Sequence, residues 1–209
     1  MSKEVTESKM QQALSFAYDK AVNGVAGLDS AVELAESYQN TDVLHEQCNS
    51  LIRWQNTKAG TSGFVTGLGG LILMPVTLPA NITSVLYVQI RMIAAIAHLA
   101  GHDLKDDKVK TMVYVCLVGN GAAEILKNVG VEVGKKVATN AIKNISGKVI
   151  TQINQKVGFR LVTKFGEKGI INLGKAVPLL GGLIGGTVDT ISTNIIGNTA
   201  RDLFAGKNT

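Results

Sequence analysis

From Ala59 to Ile90 the chain carries no Asp, Glu, Lys or Arg, and over its 209 residues the charged fraction is 18%, against ~25% in an ordinary soluble domain. Aromatic residues make up 5%, and there are three prolines and two cysteines. Each shortage excludes something. Cys48 and Cys116 stand at no metal or redox spacing, which argues against a disulfide framework or a zinc fold. No Gly-x-Ser-x-Gly surrounds a serine, and the GLGG at 67–70 lacks the Gly-Lys-Ser/Thr of a phosphate loop. No reaction is therefore named, and no cofactor is implied. No alternating run with hairpin turns marks a β-strand. The opening MSKEVTESKMQQ is too polar for a secretory signal, which with unpaired cysteines suggests an intracellular, reduced protein.

The uncharged stretch is long enough for a membrane segment, since about 18 apolar residues suffice. Its composition argues against a straight span. Gly60, Gly63, Gly67, Gly69 and Gly70 crowd its first half, and Pro75 and Pro79 divide it into two arms. The first arm, Phe64 to Met74, would reach only ~16 Å at ~1.5 Å per residue, about half of a ~30 Å hydrocarbon core. We therefore expect a bent hydrophobic hairpin with Phe64, Leu68, Leu71, Ile72, Leu73, Met74, Pro75 and Pro79 at its membrane-facing or core-facing tip. Its second arm would run from Ala80 to Ala100, stopped by Gly101.

Apolar spacings of three and four predict helices elsewhere: Lys9 to Val22, Ala31 to Tyr38 with Asp29 or Ser30 as N-cap, Thr41 to Ala59, and Asp103 to Val118 with acids in its first turn. After Gly147 a segment to Val157 is interrupted by Gly158 and resumes to Phe165, and a last helix runs from Val177 to about Phe204. The expectation is an all-α fold: one compact helical domain around a central Gly/Pro-rich hydrophobic hairpin, divided as N-terminal helices 1–59, a helical domain 60–205 and a tail 206–209.

Charge is distributed unevenly. Residues 1–104 hold 6 Lys and Arg against 9 Asp and Glu, net −3, whereas residues 105–209 hold 15 against 7, net +8. Between Lys135 and Lys175 stand nine basic residues and a single acid, Glu167. Such clustering seeks phosphate or an anionic leaflet. Lys148, Lys156, Arg160, Lys164 and Lys168 are the candidate anionic-lipid contacts. The stripe Val149, Ile153, Val157, Leu161, Phe165 beside them could lie at an interface with lysine stems snorkelling, or could cap a core.

Small residues recur at close spacing in Gly67, Gly69 and Gly70, and again in Gly181, Gly182, Gly185 and Gly186. Such faces let helix backbones approach closely, and we expect the two to pack together. Arg91 ends the uncharged run, and a guanidinium in such surroundings needs a partner; Asp189 is one candidate for a buried charge pair and Glu124 another. His98, His102 and Asp103 fail as a metal site because Gly101 ends the helix between the histidines and no third ligand stands at a diagnostic spacing. Trp54 fits an interfacial anchor and a core position equally well.

The strings GLGGLILMPVTLPANI at 67–82, GHDL at 101–104 and KAVPLLGGLIGGTVD at 175–189, in that order, resemble the EcsC family, bacterial proteins named after a gene beside an ABC transporter operon. The resemblance covers roughly Gly60 to Ala205. It implies association with membranes, secretion and transport rather than a defined reaction. Asn81 departs from the family string, which more often has an acidic residue after the proline, so no carboxylate role carries over to it.

Three functions follow. The first is a non-enzymatic protein that binds or partly inserts into the cytoplasmic face of the inner membrane through anionic lipids, possible partners being a transporter or secretion component, with self-association open. The second is a soluble helical protein that binds a lipid-like small molecule or hydrolyses it. A nucleic-acid binder is disfavoured, because the basic region offers only Phe159 and Phe165 for stacking.

Overall fold

Eight α-helices and one 3-10 turn form among the residues that the computed structural model describes, namely 5–25, 27–59, 78, 80–131, 142–165 and 184–206, with the side chains at 58–59, 80–81 and 184–191 left aside. The helices are α1 (Glu7–Asn23), α2 (Ala31–Glu36), α3 (Leu44–Ala59), α4 (Ala80–Leu99), α5 (Asp107–Cys116), α6 (Ala122–Asn128), α7 (Gly147–Phe165) and α8 (Ile184–Phe204). The described residues contain no strand, only a single-residue antiparallel bridge between Val25 and Leu28. The protein is all-α.

Local chemistry sets the ends of these helices. Thr6 caps α1, and Gly24 at φ 82° stops it, a conformation costly for any side chain with a Cβ. At α2 the capping box is complete: the Ser30 hydroxyl accepts from the Glu33 amide at 3.2 Å and the Glu33 carboxylate accepts from the Ser30 amide at 2.8 Å. That reciprocal pair lowers the Glu33 pKa, the Ser30 backbone bond being the largest cause. Gly101, at φ 81°, ends α4 as expected, with its amide bonded to the His98 carbonyl at 2.9 Å and the His102 amide to the Ala97 carbonyl at 3.0 Å.

α4 is the centre. Leu86, Tyr87, Ile90, Met92, Ile93, Ala94, Ala95, Ile96 and Ala97 have no exposed surface, because α1, α2, α3, α5 and α8 all pack around this helix. Residues before 60 thus share one core with those after. α7 is an outer element, laid on α1, α5 and α6. It runs unbroken through Gly158, where the sequence predicts an interruption. A Cβ there would stand 2.6 Å from Gln11 Nε2, so the glycine leaves room for the end of the Gln11 side chain between α7 and α1. Gly197 does the same between α8 and α3, where a Cβ would meet Ile52 at 2.8 Å.

The segment Ile82–Leu99 is apolar and long enough to cross a membrane, with a mean hydropathy of 1.5, yet 83% of it is buried inside the protein. Its apolar sides are occupied by neighbouring helices, so in this fold the second arm of the expected hairpin is a core helix. The first arm lies outside the described residues.

Candidate functional site

The outward face of α7 is built by what its inward face has already used. Ile153, Val157 and Leu161 are buried against the helices beneath, and Gln11 Nε2 donates to the Asn154 carbonyl at 2.6 Å from α1. Of the alternatives left open for the apolar stripe, the core holds its centre. With the stripe turned in, Lys148, Gln152, Gln155, Lys156, Phe159, Arg160 and Thr163 are exposed. Phe159 is 61% exposed, a large ring in water with cations beside it. Lys148 and Phe159 lie 11 residues apart, about three turns, and so on one line along the helix.

Arg160 is not unattended. Its Nη2 donates to Glu124 Oε2 at 2.7 Å, a pair whose side chains are 45% and 58% exposed. Glu124 belongs to α6, so this bond spans the seam between α6 and α7. Beside it runs a groove of about 450 Å³ lined by Glu7, Glu124, Ile125, Lys156, Phe159 and Arg160, among others. Lys164, one turn further on, is half-buried and turns inward: its ammonium bonds the Ser192 hydroxyl at 3.1 Å on α8 and lies 5.3 Å from the Phe165 ring centroid.

The second charged feature lies inside. Arg91 on α4 is buried, with its guanidinium over the Tyr87 ring at 5.6 Å and its Nη1 donating to the Asp29 main-chain carbonyl at 3.1 Å. It forms no ion pair among the described residues. Burial raises the pKa of the Tyr87 hydroxyl, with Arg91 opposing. The Asp189 side chain lies outside the described residues; Glu124, the other candidate partner, is held by Arg160 instead.

Phe64, Leu68, Leu71, Ile72, Leu73, Met74, Pro75 and Pro79 also lie outside the described residues, as do Gly67, Gly69, Gly70, Gly181, Gly182 and Lys168. Gly185 and Gly186 fall in the first turn of α8, with no surroundings described. Trp54 is 54% exposed on α3 and so is not a core residue. His98 is half-buried, while His102 packs edge-on against Phe204 at 5.1 Å between ring centroids. Among the described residues no three His, Cys, Asp or Glu side chains gather in a way that would hold a metal. Both cysteines are buried; burial pushes the Cys48 thiol up to about 11 and the Cys116 thiol higher still. Neither supplies a thiolate at neutral pH.

Sequence reasoning underrated Phe159, counted only as a scarce aromatic, and missed the Glu124–Arg160 bond. The first was within reach, since Phe159 sits three residues after Lys156 on the polar side of the helix. The second was not, because α6 and α7 are separated in sequence and meet only through packing.

The fold is all-helical, with a central apolar helix sheathed by its neighbours and a basic helix on the outside. The chain belongs to the EcsC protein family, whose sequence profile matches residues 2–205 and so takes in the N-terminal helices as well. No curated protein and no solved structure matches the chain significantly.

Proposed function

We propose that this protein is a non-enzymatic peripheral membrane protein that attaches to a cytoplasmic leaflet rich in anionic lipid and works there in support of transport or secretion. The observation that carries this reading is the outward face of α7, where Lys148, Lys156 and Arg160 accompany the exposed ring of Phe159. Two signals, one apolar and one basic, are what stable attachment without a span requires. Each cation near an anionic surface contributes ~1 kcal/mol, and a buried Phe side chain roughly 1.5–3 kcal/mol. Binding of that order is reversible and sensitive to salt. Span-type insertion is not part of the proposal, since the one described helix with suitable composition is packed inside the fold.

Vesicle flotation tests the reading. Phosphatidylglycerol vesicles should carry the protein to the top of the gradient at low salt, phosphatidylcholine vesicles should not, and raising salt until the Debye length falls to roughly 3 Å should release it. Recovery in the bottom fraction with phosphatidylglycerol at low salt would refute the attachment.

A further inference from the structure

The face just described contains its own counter-ion, and that is a detail a plain basic patch lacks. We infer that Glu124 competes with lipid phosphate for Arg160: on docking, the Arg160 guanidinium exchanges the Glu124 carboxylate for a phosphate of an anionic headgroup while Phe159 enters the interface beside it. This rests on the membrane reading above and specifies its chemistry.

Three observations lead there. The Arg160–Glu124 bond is short, at 2.7 Å, but both side chains are about half exposed, so the pair contributes little in water and is easily opened. A guanidinium binds a phosphate through two parallel bonds, and does so more strongly than an ammonium of the same charge. Arg160 is next to Phe159 in sequence, and both line the same groove with Ile125 at its wall. Opening the ion pair therefore frees a phosphate ligand beside an apolar ring already in water.

The same geometry selects the lipid over a nucleic acid. A phosphodiester chain laid along the groove would pass the carboxylates of both Glu7 and Glu124, with one exposed ring for stacking. A headgroup needs one guanidinium, and the ring goes to the acyl boundary.

The experiment is a double-mutant cycle read by flotation on phosphatidylglycerol vesicles at fixed lipid and low salt. Glu124→Gln should raise the partition coefficient about two- to fivefold, the range expected for removing an exposed ion-pair competitor. Arg160→Gln should lower it, and Glu124→Gln added to Arg160→Gln should then change nothing. Phe159→Ala should lower partitioning about tenfold while leaving the steepness of its salt dependence unchanged, since no charge is removed. An equal gain from Glu124→Gln in both backgrounds would mean a general charge effect and would overturn the exchange. So would an unchanged Phe159→Ala, for the ring, or displacement of the protein from vesicles by a short oligonucleotide, for the choice of partner. If the unmodified protein never floats, the membrane reading itself falls; if it floats and the cycle fails, only the exchange does. All three positions are exposed, so thermal melts of the variants should stay close to that of the parent and confirm folding.

Discussion

Arg91 Nη1 donates to the main-chain carbonyl of Asp29 at 3.1 Å, from a residue that is 4% exposed. A cation in the core thereby pins the loop that leads into the α2 capping box, and it does so through backbone rather than through a carboxylate. The distinction is testable. Arg91→Gln should lower stability by about 1.5–3 kcal/mol, the range for a hydrogen bond to a charged group, whereas Asp29→Ala should stay within ~0.5 kcal/mol, as at an ordinary surface site. Denaturant midpoints at constant slope read both. Equal losses would point to a carboxylate-dependent pair.

The two glycine crossings should respond differently to the same substitution. At Gly197 a Cβ would meet Ile52 Cγ1 at 2.8 Å and Cγ2 at 3.0 Å, atoms close to the branch point that cannot swing away. Gly197→Ala should therefore cost about 1–3 kcal/mol of overpacking. At Gly158 the obstacle is the far end of Gln11. There the lost side-chain bond, ~1 kcal/mol, is offset by ~1 kcal/mol of helix propensity, and Gly158→Ala should come out near neutral. A melting comparison that ranked them the other way would contradict these packing distances.

Gln55 is wholly buried on α3, and among the described residues neither its Nε2 nor its Oε1 has a hydrogen-bond partner. Two such atoms in an apolar interior are costly, so an apolar side chain of similar size should suit the site better. Gln55→Met is expected to raise stability by about 1–3 kcal/mol, measured by chemical denaturation. A loss would mean that the amide has a role the described contacts do not express.

His102 couples the end of α4 to the end of α8. Burial lowers its pKa from 6.5, with the backbone bond to Phe204 opposing and Lys143 acting in the same direction as burial. Because the unfolded chain then binds the proton more readily than the folded one, stability is intact above the unfolded pKa. It should decline as pH falls through about 6.5 and level off below the lowered folded value. His102→Gln should flatten that part of the stability-against-pH curve; an unchanged slope would assign it to other groups.

Much of the architecture could be read directly. The stop at Gly101, the all-helical class and the course of α1 and α4 to within two residues follow from short-range rules, such as a glycine adopting positive φ, and of the two N-cap candidates for α2 the structure chooses Ser30 over Asp29. Gly158 misled the reading for a physical reason: glycine lowers helix propensity by only ~1 kcal/mol, and the packing of α7 on α1, α5 and α6 outweighs it. The open choice at the α7 stripe had a similar cause. Periodicity shows that a face is apolar, not what covers it.

What the sequence alone determined is a helical chain with an uncharged central stretch, a basic C-terminal half and the motif strings of its family, because these depend on composition and on contacts within a few residues. Tertiary structure decided that the span-like helix α4 is sheathed by protein, that Phe159 faces water, and that Arg160 is held by Glu124 while Arg91 holds a loop carbonyl. Those outcomes depend on which helix faces meet, and apolar area or a guanidinium is satisfied equally well by lipid, water or protein until the fold brings one of them into contact.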